Sequence, residues 1–478
     1  MGEELKTSNF CDDDFAEFVR RLRAETDVVQ AWEQDGQLSN GPATAGFELE
    51  AWLVDQASRP SAKNGDFLSA VDNELVVPEL SCFNIEFNGD PQQLTGTGLS
   101  TLQTELEDLW RHAVGVADDI GLRLAMIGIL PTVEGDDLCI ANMSESNRFK
   151  ALNEQVFRLR KGRPIHLKIN GEDTLDSEHM DLMLEAAATS FQIHLKLPMG
   201  REVDYYNASK LVSAPLVAVS ANSPYLFGHD LWCETRIPLF EQSVAVGGFA
   251  GASHGPLRRV TFGSGYVRDT ILECFIENEE HYPLLLPMQF HDGLEQMSHV
   301  RLHNGTIWRW NRPLIGFDYD GIPHLRIEHR VIPGGPTIAD MIANAALFYG
   351  LMQALMTAEV PPEQQLPFAT ARDNFYTAAQ HGMDAHVTWL QGERSSVQHL
   401  LLDHLVPLAR QGLEQLEIDR YDINRYLGII EARARTGQTG TRWQRAYVER
   451  HDGDLAAMTH AYYEHQEKGV PVHEWETG

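Results

Sequence analysis

The chain has 478 residues, of which 43% are hydrophobic and 22% are charged, and its formal net charge is −31 at pH 7. This composition is ordinary for a globular protein, and a chain of this length buries enough apolar surface to fold without disulfides or a structural metal. The negative charge argues against non-specific binding to nucleic acid or to an anionic membrane surface, so we expect neither as a partner.

Cysteine usage and the lack of long apolar runs favour the cytoplasm. The five cysteines are scattered and form no Cys-x-x-Cys pair, which argues against a disulfide framework or a zinc cluster. Residues 1–20 have neither the basic start nor the apolar stretch of a signal peptide. Because no run of 18 apolar residues occurs, we expect no membrane-spanning helix and a cytoplasmic location.

Taken in chain order, hydrophobic periodicity predicts helices separated by short strands. Apolar residues at helical spacing after an Asp-rich start predict a helix over 12–32. A polar, glycine-containing stretch then leads into the first strand. The remaining elements in this part are predicted as strands over 47–54, 83–88, 191–197, 306–311 and 324–332, and as helices over 99–120 and 177–189.

The last third of the chain is predicted to be helical. Segment 337–358 follows a Pro-Gly-Gly-Pro breaker, and Thr337 and Asp340 have the spacing of a capping box at its start. After the Pro-Pro pair at 361–362 the pattern stays helical. Antiparallel-looking strands with separate helices predict an α+β fold with a helical C-terminal portion. We place a boundary near residue 390, which divides the chain into 1–390 and 391–478.

Four of the predicted strands have one apolar face and one face of hydrogen-bonding or charged groups. Side chains alternate between the two faces of a strand, so each strand presents its polar set on a single face. In chain order these sets are Glu48 and Glu50, then Asn84, Glu86 and Asn88, then Gln192, His194 and Lys196, and finally Arg326, Glu328 and Arg330. The apolar residues between them are expected to lie under helices.

Two interpretations of these polar faces are open. A solvated face of an antiparallel sheet shows the same alternation, although Thr, Ser and Lys are more usual there than Glu flanked by Asn or Arg. Glu48 and Glu50 would lie roughly 7 Å apart, and carboxylates so close raise each other's pKa unless a cation lies between them. Mg²⁺ or Mn²⁺ would suit such a site, completed by Glu86, His194 and Glu328 if the four strands form one sheet.

Five segments together carry a family resemblance. They are GFELEAWLVD (46–55), FNIEFN (83–88), FQIHLKL (191–197), SANSPYLFG (220–228) and HLRIEHRVIPGGPT (324–337). Their combination resembles glutamate–cysteine ligase family 2, a group of carboxylate–amine ligases with the glutamine synthetase-like fold. The resemblance implies an antiparallel sheet curved into a funnel and covered by helices, with residues 1–390 as the catalytic domain and 391–478 as a helical extension.

The resemblance also implies roles for the polar residues. Glu48 and Glu50 resemble the paired metal ligands of the first strand, and the other metal-facing positions match Glu86, His194 and Glu328. Catalytic roles are implied for Glu328 and Arg330. The positions implied for ATP or phosphate binding are Arg330, Arg326 and Lys196, and those implied for substrate binding are Arg236, Asn88 and Gln192.

Two positions depart from the family pattern. Gln192 stands where many relatives carry a second histidine, and Gln380 takes an arginine position in the segment 371–385. Both departures leave the expected metal ligands intact. They leave the identities of the amine and of the acid open.

The implied reaction transfers the γ-phosphoryl group of ATP to a substrate carboxylate, and an amine then attacks the acyl phosphate to give an amide. The expected cofactor is Mg²⁺ or Mn²⁺, and the expected partners are small molecules, namely ATP as co-substrate, a glutamate-type acid and an amine. Alternatives are a ligase for another acid and amine, a related ATP phosphotransferase, or a catalytically silent relative that binds a metabolite or partner protein. A homo-oligomeric state is also left open.

Overall fold

The computed structural model describes residues 10–246 and 258–477. Residues 1–9, which belong to the segment considered above for a signal peptide, lie outside the described residues. The strands form one large sheet and several two-stranded ribbons. They are β1 Thr44–Val54, β2 Val76–Pro78, β3 Asn84–Asn88, β4 Gln92–Gln93, β5 Arg123–Ala125, β6 Ile165–Asn170, β7 Thr174–His179, β8 Phe191–Lys196, β9 Tyr225–Leu226, β10 His229–Asp230, β11 Val260–Thr261, β12 Trp308–Arg309, β13 Asn311–Phe317, β14 Pro323–His329, β15 His386–Thr388 and β16 Arg394–Ser396.

The helices lie between the strands in the first three quarters of the chain and dominate the remainder. They are α1 Asp12–Gln34, α2 Asn64–Val71, α3 Gly98–Asp119, α4 Asn147–Leu159, α5 Glu202–Ser220, α6 Arg236–Ser243, α7 Glu273–His281, α8 Ser298–Asn304, α9 Ile338–Leu355, α10 Pro362–Gln365, α11 Phe368–His381, α12 Val397–Leu400, α13 Val406–Gln415, α14 Arg420–Thr436, α15 Gly440–Arg450 and α16 Leu455–Lys468.

The large sheet brings the four polar strands together. Its order is β13-β14-β8-β1-β3-β2, with β4 and β5 also paired to β1, and all of its pairings are antiparallel. The condition set by the sequence is therefore met, because the strands at 47–54, 83–88, 191–197 and 324–332 lie in one sheet. The α+β fold and the helical C-terminal portion are confirmed.

Helices α5 and α9 cover the apolar face of the sheet. The Tyr349 hydroxyl on α9 donates to the carbonyl of His194 at 3.0 Å, and Phe348 stacks on the His329 ring at 4.5 Å between centroids. Thr337 caps α9 as predicted, since its Oγ1 accepts from the Asp340 amide. Almost every residue of α9 is buried, which makes this helix the centre of the core.

Helix α9 is also the point where the C-terminal helices attach. Gly350 of α9 and Gly412 of α13 let the two backbones approach so closely that a Cβ on Gly412 would lie 1.9 Å from the Gly350 carbonyl oxygen. The side chain of Arg433 on α14 forms a buried ion pair with Asp340 at 2.6 Å. The C-terminal helices thus share the core of the sheet, while the boundary near residue 390 stays a prediction.

Among the described residues one helix, Ile338–Leu355, is long and apolar enough by composition to cross a membrane. Of its length, 94% is buried inside the protein. A helix enclosed in this way by its own protein is the usual central helix of a core.

Two predictions of secondary structure need correction. Residues 177–189 do not form a helix, because 174–179 pair with β6 as strand β7 and only Leu182–Ala187 form a tight 3₁₀ turn. Strand pairing here overrides the helix propensity of the local alanines and leucines. The C-terminal portion is helical as predicted, but the helical pattern predicted to continue after residues 361–362 is interrupted by the hairpin of β15 and β16 at 386–396.

Candidate active site

The polar face of the sheet places acidic and basic side chains in register across four strands. Glu328 on β14 lies opposite His194 on β8. Glu48 on β1 lies opposite Gln192 on β8, and Glu50 lies opposite Glu86 on β3. Directly opposed residues in a sheet have Cβ atoms about 4.5–5.5 Å apart, so these groups interact.

The first cluster that could hold a metal ion consists of Glu48, His194 and Glu328, whose ligand atoms all lie within 4.8 Å of one another. The Nε2 atom of His194 is 3.3 Å from Glu48 Oε1 and 3.8 Å from Glu328 Oε1. Within the described parts of the chain, His194 Nε2 and Glu48 Oε2 are buried without a hydrogen-bond partner. Buried polar atoms are rarely left unpaired, so these residues fit a divalent cation.

The second cluster consists of Glu50, Glu79 and Glu86, also within 4.8 Å of one another. The five ligands predicted as one site therefore divide between two groups. Glu79 is a member that the sequence pattern did not single out, because it follows the short strand β2, which was not predicted. Three carboxylates without a histidine form an oxygen-only set, which is the preference of Mg²⁺.

Burial and mutual repulsion disfavour the charged forms of several carboxylates in the two clusters. Burial, followed by the charges of Glu86 and Glu328, raises the pKa of Glu48 well above its usual range. Burial and Glu86 do the same to the pKa of Glu79, and burial raises the pKa of Glu50. A bound cation would favour the ionised forms and so reverse these shifts.

His194 and Glu185 complete this environment. Burial, with Arg326 as the next cause, lowers the pKa of His194 to about 3, so its imidazole is neutral at pH 7 and its free nitrogen is a metal-ligand donor. Burial and the charge of Glu50 raise the pKa of Glu185 to about 8. Glu185 lies in the turn before β8, and the sequence pattern gave no sign of it because the turn was predicted as helix.

Arginines balance the acidic groups at one end of the face. Arg312 donates to both oxygens of Glu328 at 2.9 and 2.8 Å, and Arg330 donates to Glu328 Oε2 at 2.9 Å and to the Gln192 side-chain oxygen. Burial alone would raise the pKa of Glu328, but Arg312 and then Arg330 outweigh it and hold that pKa well below its usual range. The role of Glu328 as a metal ligand stays a prediction, and the structure adds that two guanidinium groups share its carboxylate.

Arg236 lies immediately behind Arg330. Its Nη2 donates to the Arg330 carbonyl at 3.0 Å, its Nε donates to Glu234 at 3.3 Å, and its guanidinium lies 5.4 Å from the Trp310 ring centroid. Only 2% of Arg236 is exposed. Binding of a substrate carboxylate by Arg236 stays a prediction. The observed hydrogen bond shows that Arg236 also holds the backbone of Arg330 in place.

The other predicted binding residues already have partners within the protein. Lys196 forms an ion pair with Asp318 at 2.6 Å and also donates to Ser39. Asn88 donates to Glu86 at 3.0 Å. Gln192 donates to Glu50 at 2.8 Å. Their roles in binding phosphate or substrate stay predictions.

Arg326 differs from these three. It lies opposite Lys196 in the sheet, and its Nε is buried without a hydrogen-bond partner among the described residues. A buried guanidinium nitrogen without a partner is costly. Arg326 is therefore a good candidate to meet an anion that enters the face.

Comparison with protein families and relatives gives one consistent result. A family model described as Glutamate-cysteine ligase family 2 (GCS2) matches residues 44–461. A protein of Mycobacterium sp. (strain KMS) named "Putative glutamate--cysteine ligase 2-1" is 27% identical over 281 residues, 56% of this chain and 61% of the relative. A "Putative glutamate--cysteine ligase 2-2" of Frankia casuarinae is 22% identical over 413 residues, 85% of this chain and 39% of the relative. The alignments thus span less than two thirds of either relative.

Among solved structures, the glutamate–cysteine ligase of Francisella tularensis, solved in complex with AMP, is similar. The TM-score is 0.55 at 11% sequence identity, and the likeness covers 92% of this chain and 91% of that one. At so low an identity the likeness concerns the fold. It agrees with the antiparallel sheet covered by helices that the sequence predicts.

Proposed function

Because the chain belongs to glutamate–cysteine ligase family 2, we propose that it is an ATP- and Mg²⁺-dependent ligase that joins a glutamate-type carboxylate to an amine. The single observation that carries the proposal is the polar face of the sheet. There six glutamates lie close to one another and to Arg312 and Arg330. Five of them have a shifted pKa, and the sixth, Glu86, belongs to the second carboxylate cluster. The glutamates are Glu48, Glu50, Glu79, Glu86, Glu185 and Glu328.

A solvated sheet face explains this arrangement poorly. Glu48, Glu86 and Glu328 are at most 5% exposed, so water does not stabilise their charges as it would on a surface. Burying several carboxylates together costs stability unless cations or guanidinium groups compensate. A protein that binds divalent cations and a polyphosphate at this face recovers that cost on binding.

The first chemical step under this proposal moves the γ-phosphoryl group of ATP onto a carboxylate oxygen of the acid, and ADP leaves. Divalent cations held by the two glutamate clusters would supply neutralisation of phosphate charge. Arg330 is held by Glu328 and Gln192, and its guanidinium would stabilise the charge that spreads over the phosphate oxygens in the transition state.

The second step joins the amine to the activated acid. The amine nitrogen attacks the acyl carbon, the carbon–oxygen bond to phosphate breaks, and the ammonium proton is lost to give an amide. Burial and the charge of Glu50 keep most of Glu185 protonated at pH 7 in the metal-free protein, and a cation on Glu50 would favour its ionised form, which would then be the candidate to take that proton. The amine acceptor stays open, as do a cytoplasmic location and a homo-oligomeric state.

The test is release of ADP from purified protein supplied with ATP, Mg²⁺, glutamate and a panel of amino acids and amines. We expect ADP release that requires both acid and amine and that stops with excess EDTA. Glu48→Gln should abolish it, whereas Glu467→Gln, an exposed position on α16, should not. ADP release that needs the acid but no amine would instead identify a phosphotransferase, and full turnover in EDTA would contradict the proposal.

A further inference from the structure

A cavity of about 320 Å³ lies beside α5 and α7 and is separate from the carboxylate face of the sheet. Its wall includes Lys210 and Tyr206 of α5, the helix that packs on the apolar face of the sheet. The Tyr206 hydroxyl donates to the carbonyl of Asn311, and the Asn311 side chain bonds the His329 ring, which alternates with Glu328 along β14. The cavity therefore lies on the apolar side of the sheet, opposite the carboxylates.

Lys210 is the unusual residue of this cavity. It is 1% exposed, and its ammonium donates to the carbonyl of Phe262 at 2.9 Å and lies 4.6 Å from the Tyr206 ring centroid. No carboxylate in residues 10–246 or 258–477 forms an ion pair with it. Aromatic faces offset only part of the cost of a buried charge, so Lys210 lacks a counter-ion.

The acidic side chain of the lining that influences Lys210 by its charge is already held by other residues. Glu277 forms an ion pair with Arg309 and accepts a hydrogen bond from Ser264 at 2.6 Å. Arg309 in turn donates to the Asn278 side chain at 2.6 Å. Because Glu277 is bound by Arg309 and Ser264, it acts on Lys210 only through its charge and forms no direct ion pair with it.

The backbone is shaped to leave room beside the ammonium. Gly263 has φ +106, and a Cβ at this position would lie 2.9 Å from Lys210 Nζ. Only glycine adopts this conformation readily, and a larger residue would press on the ammonium. A Cβ on Gly265, two residues on, would meet open space. The Gly-Ser-Gly loop at 263–265 thus borders the cavity without closing it.

The rest of the cavity lining is apolar or acidic. Tyr266, Val267 and Ile276 supply apolar surface, and Glu280 of α7 is an exposed carboxylate whose Oε2 lies 3.7 Å from Nε2 of the exposed His281. Glu273 is taken up by the backbone amides of 268–270. The inner cation of this lining complements a carboxylate, the apolar wall complements an apolar side chain, and the outer carboxylate complements an ammonium group. All three groups can belong to one molecule.

We propose that this cavity binds a free apolar amino acid, with its carboxylate on Lys210 and its ammonium toward Glu280. The site lies behind the sheet and needs neither ATP nor metal, so it is independent of the proposed ligase reaction. Inorganic phosphate is a poorer match, because a dianion near Lys210 would also meet the carboxylates of Glu273, Glu277 and Glu280 in the lining.

The test is calorimetric titration of L-leucine into the purified protein in a chloride buffer without ATP or metal. L-Leucinamide, which lacks the carboxylate, and 4-methylpentanoate, which lacks the ammonium, serve as matched probes, with inorganic phosphate as a fourth. We expect L-leucine to bind at least about tenfold more tightly than each of the others, since one lost ion contact of about 1.4 kcal/mol is a factor of ten.

Two variants assign the binding to this cavity. Lys210→Met keeps the length of the side chain and should weaken L-leucine and 4-methylpentanoate alike. Glu280→Gln changes an exposed residue and should weaken L-leucine while leaving 4-methylpentanoate unchanged. Undiminished L-leucine binding in both variants, equal binding of the three leucine-like probes, or tighter binding of phosphate would each overturn the proposal, as would the absence of heat with all four probes.

Discussion

Glu48 and Glu328 carry the same functional group on one face of the sheet, but their surroundings drive their pKa values apart. Burial and neighbouring carboxylates raise the pKa of Glu48, whereas Arg312 and Arg330 outweigh burial and lower the pKa of Glu328. At neutral pH Glu328 is a firm anion inside an arginine pair. Glu48 becomes a firm anion only when a cation joins it.

The two residues should therefore respond in opposite ways to the same substitution. In metal-free buffer at pH 7, Glu48→Gln should leave the free energy of unfolding unchanged or raise it, because it removes a repelled carboxylate. Glu328→Gln should lower it by about 3–5 kcal/mol, because Arg312 and Arg330 lose their buried partner. Urea unfolding of both variants beside the wild type measures the difference, and equal losses in the two would contradict this assignment of charges.

Lys210 gives a prediction on pH. Burial lowers its pKa from 10.5 to about 8, so the folded protein releases this proton earlier than the unfolded chain does. Between about pH 8 and 10.5 the unfolded state binds more protons, and stability therefore rises with pH in that window. Below pH 8 both states are protonated and this contribution is flat.

The substitution Lys210→Met should remove that dependence. We expect the wild type to gain stability relative to the variant as the pH rises from 8 to 10.5, and the difference to stay constant from pH 6 to 7.5. Other titrating groups cancel because they are common to both proteins. A difference that stays constant across the whole range would show that the ammonium is not held in a desolvated site.

At the level of secondary-structure elements, the C-terminal helices support the arginines of the polar face. Gln444 on α15 and Tyr462 on α16 both hydrogen-bond the Asn222 side chain. The backbone N–H of Asn222 donates to the Glu234 carboxylate at 2.9 Å, and this carboxylate also accepts from Arg236. Since Arg236 holds the Arg330 carbonyl, this series of contacts connects the C-terminal helices to the polar face.

Tyr462→Phe tests that support. The Tyr462 hydroxyl also donates to the Met126 carbonyl, so its loss removes one hydrogen bond from that carbonyl and one from the Asn222 side chain, which keeps its bond to Gly334, and should cost about 1–3 kcal/mol of stability. If ligase activity is found, turnover should fall while ATP affinity changes little, because the arginines are displaced and the metal ligands are not. Tyr421→Phe on α14, where the ring is 71% exposed, is the control and should change neither. Unchanged turnover in Tyr462→Phe would limit this contact to a role in stability.

The elements that sequence predicted well are those whose signal is local. Glu48 and Glu50, or Glu328 and Arg330, share a face because alternation on one strand fixes it. Glu79 and Arg312 were missed because Glu79 directly follows β2 and Arg312 lies in β13, which are the two outer strands of the described sheet. Pro78 and Pro313 make those segments poor strand candidates by sequence, although edge strands tolerate proline.

What the sequence could not supply is the assignment of partners across the sheet. The division of the glutamates into two clusters depends on strand order and register, which are set by packing between distant segments. The arginine pair on Glu328 is of the same kind, since Arg312 reaches it from β13 across the register. The cavity at Lys210 has no signature in the local pattern, because its walls come from three separated segments.

Across the whole molecule, the net charge of −31 opposes an ATP-binding function until cations are present. The magnesium complex of ATP is still an anion, so long-range repulsion should slow its approach. Added salt screens that repulsion, with a Debye length of about 10 Å at 0.1 M. The association rate of the complex should therefore rise between low and physiological NaCl, as measured by stopped-flow with a fluorescent ATP analogue. A rate that falls with salt would mean that the field of Arg312, Arg326 and Arg330 dominates the approach.

Trapping of the activated acid decides whether the polar face is a ligase centre. Hydroxylamine replaces the unknown amine, and the purified protein is incubated with ATP, Mg²⁺, glutamate and hydroxylamine. We expect the hydroxamate of glutamate and ADP in equal amounts, neither formed without the acid, and neither formed by Glu48→Gln. ADP without hydroxamate, or no product from glutamate or any other amino acid tried as the acid, would contradict an acyl-phosphate ligase at this face.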